Sequence, residues 1–201
     1  MRLGLFGGSF DPVHFGHLLL AESAREQCRL DRILFLPAAV PPHKQGQPAA
    51  AVRRRIEMLQ LAIGGHEAFA VSDIEAQRGG ISYTIDSLRH FRQDDPEADL
   101  FFLMGADMLH DLPNWREAEE VCRLAIPLVV RRPATPEPDF SVLRGVTTSN
   151  RIELFREHQV EMPQIGISST EIRRRIAAGR SIRYWTPRAV EKYIQTQGLY
   201  R

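Results

Sequence analysis

The chain has 201 residues, of which 43% are hydrophobic and 25% charged, and its formal net charge at pH 7 is +1. That length is enough for one domain with a full core, and that composition is ordinary for a globular protein. A charge so close to zero creates no overall field for a nucleic acid or an anionic membrane, so any anion site must be built locally.

Strands and helices are predicted to alternate over the first two thirds of the chain. Short apolar runs predict strands, and apolar residues at helical spacing predict helices. In chain order, strands are expected at 1–6, 33–36, 69–74, 100–104 and 124–130, and helices at 16–29, 51–63, 84–93 and 115–123. Thr84 and Asn114 are expected to cap the last two of these helices. The alternation predicts an α/β fold with a Rossmann-like, doubly wound parallel sheet.

The last part of the chain is predicted to be helical. Two helices are expected, at 168–180 and 186–198, and Pro187 would lie in the first turn of the second helix. We therefore expect one domain over 1–201, with a small C-terminal helical extension at about 166–201.

The sequence also favours a cytoplasmic protein. No charged-then-apolar leader opens the chain, and no apolar run approaches the roughly 20 residues that span a bilayer. Cys28 and Cys122 lie in predicted helices without metal-ligand spacing, and we interpret them as thiols of a reducing compartment. The sequence alone does not exclude a disulfide between these two cysteines.

The segment GGSFDPVHFGH, residues 7–17, follows the first predicted strand and opens the first predicted helix. Ligands of an open parallel sheet bind beyond the carboxyl ends of its strands. Gly7 and Gly8 would let a ligand approach the backbone, and the free N–H groups of a helix start suit a phosphate. His14 and His17 add two hydrogen-bond donors at the same end. The pattern predicts a phosphate site that uses neither of the common glycine-rich nucleotide loops.

Two other interpretations of this segment remain. In the first, the glycines make an ordinary turn and the histidines are solvated. In the second, the two imidazoles bind a metal ion, with Asp11 or a distant acid as the third ligand.

The segment ISSTEIRRR, residues 167–175, predicts a second anion site. Serine or threonine before a helix acts as its N-cap, and Arg173 would project from the first two turns with a guanidinium that can fork onto phosphate oxygens. Taken alone, the same pattern also fits an ordinary cap with solvated arginines.

These two segments together resemble the nucleotidylyltransferase superfamily. The HxGH signature of that superfamily is HFGH at 14–17 in this chain, and residues 167–173 match its ISSTxIR element at every specified position. Members join a nucleoside triphosphate to a phosphate-bearing acceptor and release pyrophosphate. Class I aminoacyl-tRNA synthetases also carry an HxGH-like motif, but they are much longer and have a lysine-rich KMSKS loop that is missing here.

Three further segments resemble the bacterial nicotinate mononucleotide adenylyltransferases, namely PPHK at 41–44, SYTIDSL at 82–88 and GADMLHDLPNW at 105–115. The closing segment, 184–200, is similar to the C-terminal helix of that family. The resemblance implies transfer of the AMP moiety of ATP to nicotinate mononucleotide in NAD biosynthesis. The products would be nicotinate adenine dinucleotide and pyrophosphate.

The acceptor side of the predicted site suits a pyridine that carries a carboxylate. Trp115 offers a flat face to the ring, and the helix start at Thr84 offers free N–H groups to the carboxylate. Asp107 could accept hydrogen bonds from a ribose. Each residue also has a plain interpretation: Trp115 as a core residue, Thr84 as a simple cap and Asp107 as the cap of a short turn.

The resemblance implies a full set of site residues. The expected catalytic residues are His14, His17, Lys44 and Arg173. The expected ATP-binding residues are Gly7, Gly8, Ser9, Phe10, His14, Gly16, His17, Gly105, Asp107, Ile167, Ser168, Ser169, Thr170 and Arg173. The expected nicotinate mononucleotide-binding residues are Ser9, Lys44, Ser82, Tyr83, Thr84, Asp107 and Trp115.

In the implied reaction, an oxygen of the acceptor phosphate attacks the α-phosphorus of ATP in line, and no general base is needed. We expect His17 to bind the α-phosphate and His14 the triphosphate. Arg173 and the cap at 168–170 would bind the leaving pyrophosphate, and Lys44 the acceptor phosphate. A magnesium ion is expected to arrive with ATP, without a dedicated protein metal site. The expected partners are these two substrates, with no nucleic acid and no membrane. The sequence is compatible with a homo-oligomer and leaves the oligomeric state open.

Other functions also stay open. The chain could transfer adenylate to another phosphate such as phosphopantetheine, or use CTP, although the phosphopantetheine enzymes are shorter and lack the segments at 82–88 and 105–115. A preference for nicotinamide mononucleotide is a closer alternative. A non-catalytic nucleotide sensor on the same fold belongs to a different class of function.

Overall fold

A six-stranded parallel β-sheet forms the centre of the computed structural model, which describes residues 1–42, 49–131 and 137–201. The strands are β1 (Arg2–Gly8), β2 (Arg32–Pro37), β3 (Phe69–Val71), β4 (Asp99–Gly105), β5 (Ile126–Arg131) and β6 (Val160–Glu161). Neighbouring strands are all parallel, and their order across the sheet is β3-β2-β1-β4-β5-β6. This is the strand order of a Rossmann-like sheet, so the predicted fold class is confirmed.

Helices cover both faces of the sheet. They are α1 (Phe15–Gln27), α2 (Val52–Ile63), α3 (Ile74–Arg78), α4 (Thr84–Asp94), α5 (Ala106–Asp111), α6 (Ala118–Leu124), α7 (Ser149–Glu157), α8 (Ser169–Ala177) and α9 (Arg188–Gln197). Apolar residues of α1, α2, α8 and α9 form one core with the sheet, which we call the first core. Those of α4, α5, α6 and α7 form the second core on the opposite face. The sheet is therefore doubly wound, and the C-terminal helices share a core with α1 and α2.

The central strands are continuous apolar runs because both of their faces are covered. In β4, five consecutive residues from Leu100 to Met104 are each no more than 4% exposed. Their side chains alternate, with Phe101 and Leu103 in the first core and the other three in the second. Burying each such side chain contributes about 1.5–3 kcal/mol, so these strands hold the two cores together.

The strand order reverses between β1 and β4. The chain runs outward from β1 to β3 and then returns to the other side of β1, which leaves a crevice beyond the carboxyl ends of β1 and β4. β1 ends at Gly8 and β4 at Gly105. Residues that follow these two positions are therefore placed to meet at one ligand site.

The third predicted strand is too long. β3 ends at Val71, and Ile74, which was predicted as its last residue, instead begins the short helix α3. The buried carboxylate of Glu75 accepts a hydrogen bond from Ser87 Oγ at 2.7 Å. This buried polar contact holds α3 against α4, and a periodicity argument does not detect it.

Both predicted caps are wrong. Thr84 is already the first helical residue of α4, and Tyr83, with extended backbone, occupies the cap position. Asn114 ends a 3-10 turn, and α6 begins only at Ala118. Trp115 has an extended backbone with ψ of 151°, so the chain cannot continue into a helix there.

Residues 144–161 contain two elements that the sequence pattern does not predict, α7 and the edge strand β6. Ile152 and Phe155 of α7 are buried in the second core. The side chain of Gln27 on α1 bonds both the N–H and the C=O of Glu161, at 2.9 and 2.6 Å. The edge strand therefore depends on contacts with distant parts of the chain.

Cys28 and Cys122 are both buried and free, so the disulfide considered above is not formed. Burial raises the pKa of the Cys122 thiol to about 11. In the described ranges of the chain, no helix combines the length and the apolar character needed to cross a bilayer.

Candidate active site

The loop between β1 and α1 is folded into the protein. Phe10 is 1% exposed and has a φ of 47°, in the left-handed region that bulky residues rarely adopt. A Cβ on Gly8 would lie 3.0–3.3 Å from the Phe10 ring, so Gly8 makes room for that ring. A Cβ on Gly7 would meet no atom of residues 1–42, 49–131 and 137–201 within 4 Å. Gly7 thus leaves the backbone open, as a bound ligand requires, whereas Gly8 serves packing.

His14 and His17 lie together at the start of α1. His14 is the N-cap residue, and the two imidazole rings stack with centroids 3.7 Å apart and planes at 24°. The backbone N–H of His14 donates to Nδ1 of His17 at 3.2 Å. Because Nδ1 accepts this bond, the proton of the neutral His17 ring is on Nε2. The Phe10 ring supports His17 edge-on, with centroids 5.0 Å apart.

His14 is a buried, neutral imidazole. It is 6% exposed, and burial lowers its pKa from the ordinary value of 6.5 to about 4. Its Nδ1 atom is buried and has no hydrogen-bond partner among the described residues. A buried polar atom in this state costs about 1–3 kcal/mol.

Helix α8 is tied to the loop that carries the histidines. Ser169 Oγ donates to the carbonyl of Pro12 at 2.9 Å, and Arg173 Nη1 donates to the carbonyl of Asp11 at 2.7 Å. Thr186 Oγ1 donates to the carbonyl of Val13 at 2.8 Å. Three consecutive loop carbonyls are thus satisfied by side chains from the C-terminal part. The structure thereby brings together the two segments that were predicted to bind phosphate.

The cap of α8 is confirmed. Ser168 is the N-cap residue, and its hydroxyl accepts a hydrogen bond from the N–H of Glu171 at 3.2 Å. Thr170 is exposed in the first turn, 3.4 Å from Arg173 Nη2, and Ile167 packs against the first core. The start of α8 therefore presents hydroxyls, backbone N–H groups and one guanidinium on the same side.

The carboxyl end of β4 adds an acid to the crevice. Gly105 is the N-cap residue of α5, and Asp107 lies exposed in its first turn. The Asp107 carboxylate folds back over the glycine, since a Cβ on Gly105 would lie 2.5 Å from Asp107 Oδ1. Asp107 therefore lies at the edge of the sheet where β1 and β4 end.

The residues predicted for the acceptor lie beyond the ends of β2 and β4. Ser82 is buried, and its hydroxyl accepts from the N–H of Ala39 at 2.9 Å, so it joins the segment before α4 to the segment after β2. Tyr83 packs under the guanidinium of Arg116, 4.9 Å from the ring centroid. Trp115 is half-buried, and its ring centroid lies 6.0 Å from that of Phe102. Part of the Trp115 side chain therefore packs as a core residue, which was the plain interpretation of this position. The predicted residue Lys44 lies outside the described residues.

Three polar residues next to this site, Asp11, Arg55 and Tyr200, were not among the predicted catalytic or substrate-binding residues. Asp11, which was weighed only as a metal ligand, accepts hydrogen bonds from Tyr200 and from the backbone N–H of Ala50. Arg55 is 3% exposed and donates to the carbonyl of Ser9 at 2.9 Å. An arginine on the apolar face of α2 was the one signal in the sequence that could have identified this cluster.

A doubly wound parallel sheet with a glycine-containing loop at its reversal point is typical of nucleotide-binding α/β proteins. Residues 5–175 match the cytidylyltransferase-like family, and the chain belongs to that family.

Relatives with similar sequences cover the whole chain. The chain is 46% identical over 200 residues to a protein of Thermomicrobium roseum, and the alignment covers 100% of this chain and 92% of that protein. It is 48% identical over 203 residues to a protein of Thermus thermophilus, with 100% of both chains covered. Both are named "Probable nicotinate-nucleotide adenylyltransferase".

The fold is also similar to solved structures. Nicotinic acid mononucleotide adenylyltransferase of Plasmodium falciparum, complexed with APC, superposes with a TM-score of 0.76 at 18% identity and covers 99% of this chain and 96% of its own. The same enzyme complexed with NaAD gives a TM-score of 0.76 at 19% identity, covering 99% and 97%. At this level of identity the similarity supports the fold.

Acidification is expected to destabilise the protein through His14. Because the folded pKa of about 4 lies below the ordinary 6.5, the unfolded chain takes up the proton first as the pH falls between these values. The free energy of unfolding should then decrease by about 2–3 kcal/mol between pH 7 and pH 4, and His14 should contribute no pH dependence above pH 7.

Urea denaturation at several pH values measures this effect. The variant His14→Gln should lose the contribution of about 2–3 kcal/mol that comes from His14, whereas His90→Gln, on a partly exposed face of α4, should keep it. If His14→Gln and the wild type lose the same stability on acidification, the pKa assignment to His14 is wrong.

Gly16→Ala is expected to destabilise the free protein, and Gly7→Ala is expected not to. A Cβ at Gly16 would lie 3.0 Å from both Cε1 and Nδ1 of His14, so the buried ring must move, and the free energy of unfolding should fall by about 1–3 kcal/mol. A Cβ at Gly7 meets no atom of the described residues within 4 Å, and Gly7→Ala should leave stability unchanged. Urea denaturation of both variants checks this, and equal losses would contradict the described loop geometry.

Proposed function

We propose that the chain is a nicotinate-nucleotide adenylyltransferase, which transfers the AMP moiety of ATP to nicotinate mononucleotide in NAD biosynthesis. The products are nicotinate adenine dinucleotide and pyrophosphate. Relatives of that name are 46% and 48% identical over the full length of this chain. The structural observation that carries the proposal is the hydrogen-bonded contact between the loop of His14 and the helix of Arg173.

Catalysis in this proposal is positioning and charge stabilisation. The attacking phosphate oxygen is already an anion at neutral pH, so the site needs no general base, and in-line attack on the α-phosphorus expels pyrophosphate. Donors that are fixed before the reaction can stabilise the charge that develops at phosphorus. The described donors come from the starts of α1 and α8, two helices whose free N–H groups also favour anions.

His17 is proposed to act on the α-phosphate. Its Nδ1 accepts the backbone N–H of His14, which leaves the protonated Nε2 as the donor of the ring. His14 is proposed to bind the triphosphate as a neutral imidazole, because burial lowers its pKa to about 4.

The start of α8 is proposed to bind the leaving pyrophosphate. Arg173 uses one nitrogen on the Asp11 carbonyl, and its guanidinium has further N–H groups for phosphate oxygens. Around these contacts we propose that the remaining ATP-binding surface consists of Gly7, Gly8, Ser9, Phe10, Gly16, Gly105, Asp107, Ile167, Ser168, Ser169 and Thr170.

Nicotinate mononucleotide is proposed to bind at the starts of α4 and α5. The first turn of α4, at Thr84, offers N–H groups to the ring carboxylate, and Trp115 offers a face for stacking worth about 0.5–1.5 kcal/mol. Asp86 in the same turn pairs with Arg116 at 3.7 Å, which reduces its repulsion of a bound carboxylate. A neutral nicotinamide would gain less from a helix start.

The rest of the acceptor site is proposed on the same basis. Ser9, Ser82, Tyr83 and Asp107 complete the surface that binds nicotinate mononucleotide. Lys44 is proposed to bring the acceptor phosphate to ATP against the repulsion of the two anions.

Magnesium is proposed to accompany ATP. In the described ranges, no group of three or more His, Cys, Asp or Glu side chains is arranged to hold a metal ion. Asp11 is already hydrogen-bonded, so phosphate and water oxygens would supply most of the ligands that magnesium prefers. The ion would neutralise charge on the triphosphate. We further propose that residues 1–201 work as one domain and that the reaction takes place in the cytoplasm.

Pyrophosphate release tests the proposed function. The protein with magnesium and ATP is mixed with nicotinate or nicotinamide mononucleotide, and pyrophosphate and the dinucleotide product are measured. We expect rapid release with the nicotinate acceptor and slower release with the amide. If neither acceptor gives pyrophosphate, the proposed enzymatic activity is wrong. Faster release with nicotinamide mononucleotide would show that nicotinate mononucleotide is not the preferred acceptor.

His17→Ala is expected to lower kcat by about a hundredfold or more, because it removes a donor aimed at developing charge. Steady-state kinetics with both substrates checks this, and His90→Ala, two turns into α4, is the control that should keep wild-type kcat. A normal kcat with raised KM values would show that His17 only binds substrate.

A further inference from the structure

A buried polar cluster joins the end of the chain to the loop that carries the histidines. Asp11 is 4% exposed, and its Oδ1 accepts hydrogen bonds from Tyr200 Oη at 2.5 Å and from the N–H of Ala50 at 3.2 Å. The Tyr200 hydroxyl is the closer of these two donors. Burial raises the pKa of the Tyr200 phenol, so the group stays protonated and keeps donating at physiological pH.

Arg55 of α2 belongs to the same cluster and holds its backbone segments together. Its buried guanidinium donates to three backbone carbonyls, those of Ser9 at 2.9 Å, Ala39 at 3.3 Å and Ala50 at 3.0 Å. These carbonyls belong to the segments after β1, after β2 and before α2. Three N–H groups of Arg55 are committed to carbonyls of the described segments, and its charge acts on the nearby Asp11 carboxylate through space.

Arg173 is the remaining donor near Asp11. Its Nη1 lies 3.9 Å from Asp11 Oδ2, beyond hydrogen-bond distance, while the same nitrogen donates to the Asp11 carbonyl. The Arg173 side chain is 34% exposed, so it has room to move. A buried carboxylate that loses a donor attracts the nearest available cation. Without the Tyr200 hydroxyl, that cation is Arg173.

Tyr200 is held in place by this contact and by packing. It has a φ of 63°, in the left-handed region, which a tyrosine keeps only where its surroundings fix it. Leu199 and Tyr200 both pack against the first core after the turn at Gly198 that ends α9. The hydroxyl is therefore presented to Asp11 by a well-fixed backbone.

From this geometry we infer that Tyr200 is a positioning residue for ATP. Its hydroxyl satisfies the Asp11 carboxylate, so the N–H groups of Arg173 that do not bond the Asp11 carbonyl stay available to the triphosphate. The inference rests on the proposed function for the identity of the ligand. It adds a residue that acts through Asp11 and Arg173 and does not itself touch substrate.

Tyr200→Phe tests the inference, because it removes only the hydroxyl. We expect the Kd for magnesium–ATP, measured by calorimetry, and the KM for ATP to rise about tenfold, which corresponds to loss of one hydrogen bond to a charged group. The KM for nicotinate mononucleotide should change less than twofold. Tyr193→Phe is the matched control, since its hydroxyl bonds Glu57 and Arg54 of α2, and it should leave both KM values unchanged.

A double-mutant cycle separates positioning from packing. The amide of Asp11→Asn no longer attracts Arg173 as a charge, so adding Tyr200→Phe to Asp11→Asn should raise the Kd for ATP less than twofold further. If Tyr200→Phe lowers Tm but leaves the Kd for ATP unchanged, or if its effect is the same in both backgrounds, the inference is wrong. If the wild-type protein binds ATP but releases no pyrophosphate, the proposed function is wrong but the inference about Tyr200 is not. The calorimetric comparison still measures the effect of Tyr200 on the Kd for ATP.

Discussion

The structure depends on how the buried loop between β1 and α1 satisfies its backbone. A loop inside a protein exposes carbonyl groups that neither a helix nor a sheet can pair, and an unpaired carbonyl is costly. Here the carbonyls of Asp11, Pro12 and Val13 accept from Arg173, Ser169 and Thr186. The requirement for partners therefore recruits the last part of the chain, and the same three bonds assemble the candidate site.

The sheet could be predicted because its strands are buried on both faces and read as continuous apolar runs, as β4 shows. The boundaries that were wrong and the elements that were not predicted depend on contacts outside the local sequence pattern. α3 is fixed by the buried bond between Ser87 and Glu75, and β6 is held by Gln27 of α1. The start of α6 is set by the extended backbone at Trp115, which no capping pattern indicates.

The candidate site could be predicted in outline, since the motifs identified both helix starts and the structure brings them together. The electrostatic state of the site could not. The low pKa of His14 follows from burial, and the tautomer of His17 follows from one backbone contact. Arg55 lies three and four residues before Met58 and Leu59 on the buried face of α2, a visible anomaly, but Tyr200 carries no local signal.

The bonds that complete the loop span 157 to 173 positions of the chain. During synthesis the first strand and helix leave the ribosome long before Ser169, Arg173 and Thr186 have been added to the chain. Until then the loop carbonyls lack their final hydrogen-bond donors. A growing polypeptide therefore cannot form these three bonds until residue 186 has been translated. Under the proposed function, an unfinished copy would lack the assembled site, and its affinity for ATP would report whether folding is complete.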